Sequence, residues 1–97
     1  MGNVYEIIDS TDEDSYYLLG CFVDKQEAID ALTQAAIDSD GTDEGISYFN
    51  DNDNEVIEVI EITLGWRTSR KSVFEVVRER VHSEESGSWL WRTEAIK

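Results

Sequence analysis

Residues 55–64 read "EVIEVIEITL", and the fold turns on whether this stretch is a helix or a strand. Its acids recur every third residue, close to a helical period. Six of its ten residues are β-branched, however, and such side chains lose χ1 freedom in a helix while packing well on a pleated surface. As a strand it puts Val56, Ile60, Ile62 and Leu64 on one face with Glu58. Ile57 and Val59 fall on the other, flanked by Glu55 and Glu61. A strand that is apolar on both faces in its middle belongs inside a sheet. The acids along it and in the preceding "NDNDN" (50–54) guard a sticky segment against pairing with copies of itself.

Upstream, "NVYEIID" (3–9) and "SYYLLGCFV" (15–23) alternate as strands around the polar turn "STDED" (10–14), which predicts a hairpin. Gly20 interrupts the second strand, marking a bulge or a close approach by a helix. "DKQEAIDALTQAAID" (24–38) is the helix. Asp24 is its N-cap, with Glu27 three residues on, as in a capping box. Ala28, Ala31, Leu32, Ala35 and Ala36 make one apolar stripe, with Ile29 and Ile37 at its margins. "SDGTDEG" (39–45) ends the helix, and "ISYF" (46–49) reads as a short strand.

Downstream, "GWRTSRK" (65–71) is a basic connection. "SVFEVVRERVH" (72–82) fits a helix burying Val73, Val77 and Val81, or a strand. The turn "SEESGS" (83–88) and the aromatic strand "WLWRTEAI" (89–96) favour the strand and a second hairpin. There Arg78, Arg80 and Arg92 would pair with the acids of the 55–61 strand or with Glu79 and Glu94. The sum is an α+β fold in one domain, residues 1–97. An antiparallel sheet of about five to six strands, ββα followed by βββ(β), carries one helix on one face. One helix cannot cover both faces of such a sheet. The far face is then solvated or an interface, with Ile57, Val59, Trp66, Trp89 and Trp91 as the candidate apolar interface.

The 97 residues carry a formal net charge of −14. Residues 1–63 hold seventeen acids against Lys25 alone, and residues 64–97 hold five acids against seven bases. Such asymmetry speaks about partners, since an anionic body repels phosphate and lipid headgroups and steers basic proteins. No apolar run approaches the roughly 20 residues of a membrane span, and the N-terminal residues lack the pattern of a secretory signal. The single cysteine, Cys21, precludes an internal disulfide framework and suits a reducing cytoplasm.

Catalytic signatures are weak. The one histidine, His82, adjoins Ser83, Glu84 and Glu85 in a wet turn, a poor setting for a general base. Cys21 reads as a small hydrophobe of a core strand. The EF-hand rule wants Gly at loop position 6 and Glu at position 12. Counting from Asp38 these are Asp43 and Phe49, and from Asp51 they are Val56 and Ile62. No metal, cofactor or catalytic residue is therefore expected. Trp66, Arg67, Arg70, Lys71, Trp89, Trp91 and Arg92 mix bases with aromatics as nucleic-acid binders do, but the anionic body opposes phosphate contact.

The expected function is a non-enzymatic binding protein that inhibits or regulates a basic, nucleic-acid-binding partner, such as a nuclease or a CRISPR effector. Its acidic surface would comprise Asp12, Glu13, Asp14, Asp38, Asp40, Asp43, Glu44, Asp51, Asp53, Glu55, Glu58 and Glu61. Alternate strand residues stand about 6.6–6.8 Å apart, so Glu55, Glu61 and the turn acids would form a ladder imitating backbone phosphates. In composition and size the chain resembles small phage-encoded inhibitors, including DNA-mimic and anti-CRISPR proteins, and acidic immunity proteins. The alternative is a structural or housekeeping module, homodimeric through its open sheet face, whose acidity and scarce lysine (Lys25, Lys71, Lys97) reflect salt adaptation or solubility.

Overall fold

The computed structural model describes residues 2–12, 15–42, 46, 54–65 and 67–96, with the backbone alone at residues 11, 12, 15–17 and 95. Residues 55–64 are predominantly strand. The elements are β1 (Asn3–Asp12), β2 (Ser15–Phe22), α1 (Lys25–Ser39), β3 (Asn54–Thr63), β4 (Ser69–His82) and β5 (Trp89–Ile96). All five strands form one antiparallel sheet in the order β2-β1-β3-β4-β5. The sheet has five strands rather than six. Of the expected strand 46–49 only Ile46, at a bend, lies within the described residues.

β3 is the middle strand, and its alternation decides what is covered. On the helix side Tyr5 and Ile7 of β1, Ile57 and Val59 of β3 and Val76 of β4 pack against Ala28, Leu32 and Ala36 of α1. Each fully buried Ile, Val or Leu there contributes about 1.5–3 kcal/mol relative to exposure. The expectation that Ile57 and Val59 line the open face is thereby corrected: both are completely buried beneath the helix. The open face carries Ile8, Ile60 and Ile62, with Val4 packed against them.

That face is not bare. Glu6 of β1 and Arg70 of β4 form an ion pair at 3.0 Å, although β3 runs between their strands. Two strand spacings are about 9.6 Å, so the two side chains meet above β3. Glu6 stands opposite Ile60 and Arg70 opposite Ile62, which places the pair as a roof over these isoleucines.

α1 begins where the sequence places it. Asp24 is extended and its carboxylate accepts the amide of Glu27 at 3.0 Å. The helix ends as the Asp40 amide bonds to the carbonyls of Ala36 and Ile37. Gly41 then turns the chain at φ +78°, a backbone state that glycine adopts without strain. β4 starts earlier than its apolar pattern suggests: Ser69, Arg70 and Lys71 pair with Thr63, Ile62 and Glu61. Register breaks leave Leu19, Val73 and Glu94 as extra residues in β2, β4 and β5, and such bulges increase local twist. The bulge anticipated at Gly20 thus falls on its neighbour. The close approach at Gly20 comes from the Phe22 ring, 3.3 Å from where a Cβ would sit. Cys21, expected in the core, is exposed, because β2 is the outermost strand.

Fourteen residues of β4 span about 46 Å, and they set the long dimension of a molecule measuring 54 × 27 × 19 Å.

Candidate functional site

The acids proposed as a partner surface separate into three groups. Glu13, Asp14, Asp43, Glu44, Asp51 and Asp53 lie outside the described residues, as does Trp66, and Asp12 is described by its backbone only. Glu55, Glu58 and Glu61 belong to β3 and do not form an outward ladder. Asp38 and Asp40 are exposed at the C-terminal end of α1.

Glu55 is the clearest departure. It is fully buried and holds the equally buried Arg78, its cross-strand neighbour, at 2.7 Å. Its carboxylate also accepts the Ile46 amide at 3.2 Å. It faces the helix side because it shares a parity with Ile57 and Val59. Glu61, on the same face, is half-buried, accepting the Tyr5 hydroxyl at 3.2 Å and pairing with Lys71 at 3.4 Å. Glu58 is half-buried on the open face, opposite Glu75, a cross-strand position where like charges destabilise. Of the three arginines expected to pair with acids, two do so among the described residues: Arg78 meets Glu55 and Arg92 meets Glu79, whereas Arg80 lies over the Trp91 ring.

Around Arg78 the chain ties several elements together. Its guanidinium carbon lies 5.3 Å from the Trp91 ring centroid and that of Arg80 lies 5.1 Å away. Trp91 is buried, so among the described residues of the expected apolar interface only Trp89 is exposed. Arg78 Nη2 is 3.6 Å from Asp40. Asp40 in turn accepts the amide and the hydroxyl of Thr93, both at 2.9 Å. The Gly41 amide donates to the Trp91 carbonyl at 2.8 Å, and the Trp91 amide donates to the Thr42 carbonyl at 2.9 Å. Residues 40–42 are thus laced along the outer edge of β5.

The outward side of α1 has the opposite character. Glu27, Asp30 and Asp38 are exposed. Asp30 accepts an amide hydrogen from Gln26 at 2.9 Å, and Asp38 accepts one from Gln34 at 2.8 Å. Neutral partners therefore orient these carboxylates and leave their charge intact. The last turn of the helix holds no base, although the negative end of a helix dipole favours cations there. Helix stability does not account for Asp38. In the sheet, by contrast, Arg70, Lys71, Arg78 and Arg92 are each matched with an acid. No pattern in the strand sequence reports this division of labour; the helical spacing of 27, 30, 34 and 38 does.

Cys21 and His82 lie on β2 and β4, three strand spacings or about 14 Å apart, so they cannot form a thiolate–imidazole pair. The His82 ring instead packs edge-on against Trp89, 5.2 Å between centroids. Among the described residues no group of three His, Cys, Asp or Glu is arranged to hold a metal ion. Among the described residues no helix is long and apolar enough to cross a membrane. The chain matches no protein-family model, no curated protein and no solved structure.

Proposed function

We propose that the chain is a non-enzymatic binding protein whose acidic helix surface occupies a basic site on a nucleic-acid-binding protein, in the manner of small phage-encoded inhibitors. The observation that carries this reading is the outward side of α1, where Glu27, Asp30 and Asp38 are held by neutral glutamines or left exposed, while Arg70, Lys71, Arg78 and Arg92 of the sheet are each paired with an acid. Uncompensated charge of one sign accelerates encounter with a partner of the other and confers little on the fold itself. The strand ladder is no part of the proposal, since Glu55 and Glu61 are engaged internally. The open-face homodimer receives less support, because the Glu6–Arg70 roof already covers the isoleucines there.

The test is binding to a panel of basic proteins, nucleases and CRISPR effectors included, as a function of salt. Tight binding to one member should weaken steeply between 50 and 500 mM salt, as surface attraction is screened within about 8 Å at physiological ionic strength. Glu27→Gln/Asp30→Asn/Asp38→Asn should abolish it. A triple variant that binds as tightly as the parent overturns the reading, and so does a panel in which nothing binds.

A further inference from the structure

We propose that the outer edge of β2 receives an extended segment of the partner, which adds to the sheet as a further strand. The inference rests on the reading of α1 as a partner surface and specifies the chemistry of what binds beside it.

β2 is the last strand of the sheet, and among the described residues no backbone group bonds to its outer edge. Its sequence, "SYYLLGCF", contains neither a charge nor a proline, two of the means by which proteins discourage strand addition, and carries a third only at the Leu19 bulge. The other edge is different. The amides of Trp91 and Thr93, alternate residues of β5, are already taken by Thr42 and Asp40. Two apolar side chains on or beside β2 are exposed: Leu18, on the open face opposite Ile8, is 59% exposed, and Val23, just beyond the strand, 81%.

Beside this edge a groove of about 290 Å³ lies between β2 and α1, lined by Leu19, Gly20 and Phe22 of β2, Ala31 and Ala35 of α1, and, beyond these two elements, by Ile46 among others. Glycine and the two alanines leave it room. Residues three and four apart share a helix flank, so Glu27, Gln34 and Asp38 lie along the side of α1 that carries Ala31 and Ala35, and all three are exposed. A strand laid on β2 sends alternate side chains to this side of the sheet. Main-chain hydrogen bonds then supply affinity and the groove supplies selectivity. The fitting segment has a bulky apolar residue for the groove, with Lys or Arg two residues before and two after it. Those bases start about 13 Å apart, within side-chain reach of Glu27 and Asp38, which are about 16 Å apart along the helix.

The test begins with a surface-displayed library of random decapeptides selected against the full chain. The expected outcome is enrichment of a bulky apolar residue with Lys or Arg at both second neighbours. A synthetic peptide of that sequence should protect β2 amides from hydrogen exchange. N-methylation of alternate peptide amides, and separately the groove-filling variants Ala35→Leu and Ala31→Leu, should each weaken it about tenfold or more, the equivalent of one lost hydrogen bond to a well-placed group. Circular dichroism and the melting temperature establish that the variants remain folded. Selection of no common pattern, equal binding of the N-methylated peptide, or protection at any other element overturns the proposal. So does a peptide-free dimer with protected β2 amides, which assigns the edge to a second copy. If N-methylation is harmless while neutralising Glu27, Asp30 and Asp38 abolishes binding, the edge proposal falls and the acidic-surface reading stands.

Discussion

Arg78 reaches Glu55 of β3, faces Asp40 just past α1 and stacks on Trp91 of β5. Removing one member of a buried ion pair strands the other, at a cost of about 3–5 kcal/mol. Glu55→Ala should lower the unfolding free energy by that amount in urea titration. The pair is not the best solution for stability. Arg78 Nε and Nη2, Arg80 Nε and Trp91 Nε1 are buried without a hydrogen-bond acceptor among the described residues, and such groups carry a desolvation penalty. Glu55→Leu combined with Arg78→Met should therefore recover most of the loss, which a double-mutant cycle measures. Trp91→Ala should cost about 3–5 kcal/mol, and Trp89→Ala under about 1 kcal/mol, since Trp89 is 55% exposed. The partners of Arg78 and Arg92 fall within the pool the sequence offers, the acids of the 55–61 strand with Glu79 and Glu94, but the sequence did not assign them one by one, and Arg80 takes none of them among the described residues. The burial of Glu55 was not. Alternation divides β3 into two sets of residues but is symmetric between them, and nothing in residues 55–64 marks which set the helix will cover.

For α1, cap and stripe are local properties, and both agree with the structure. Asp24→Ala should destabilise by about 1 kcal/mol, seen as a lower midpoint in thermal unfolding. Asp38→Lys sets function against stability. A cation in the last turn interacts favourably with the helix dipole, so this variant should be more stable by about 0.3–1 kcal/mol at low salt. It should also bind its partner more weakly, and a variant that gains stability with undiminished binding removes Asp38 from the interface. β4 shows what local reading misses. Polarity makes residues 69–71 a connection, yet Arg70 and Lys71 are strand, each held by a carboxylate of another strand. Long-range ion pairs extend a strand beyond its apolar pattern, and no window along the chain contains both partners.

At the scale of the molecule, a net charge of −14 on 97 residues makes salt act in opposite directions on folding and on binding. Self-repulsion weakens the compact state, and screening shortens its range from about 30 Å at 0.01 M to about 8 Å at 0.15 M. The melting temperature should rise across that interval while affinity for a basic partner falls. Calorimetry and binding isotherms over the same salt series distinguish this from a chain whose acidity serves salt adaptation alone, which has no binding curve to lose. The charge excess was legible from composition, but the exposed set Glu27, Asp30 and Asp38 on one side of α1 stood out only once the sheet had claimed Glu6, Glu55, Glu61 and Glu79.

The lacing of Asp40, Gly41 and Thr42 along β5 has a further consequence. A sheet with two receptive borders can recruit neighbour after neighbour and lengthen without limit. With the Trp91 and Thr93 amides of one border already engaged, strand-by-strand growth has a poorer second end from which to proceed.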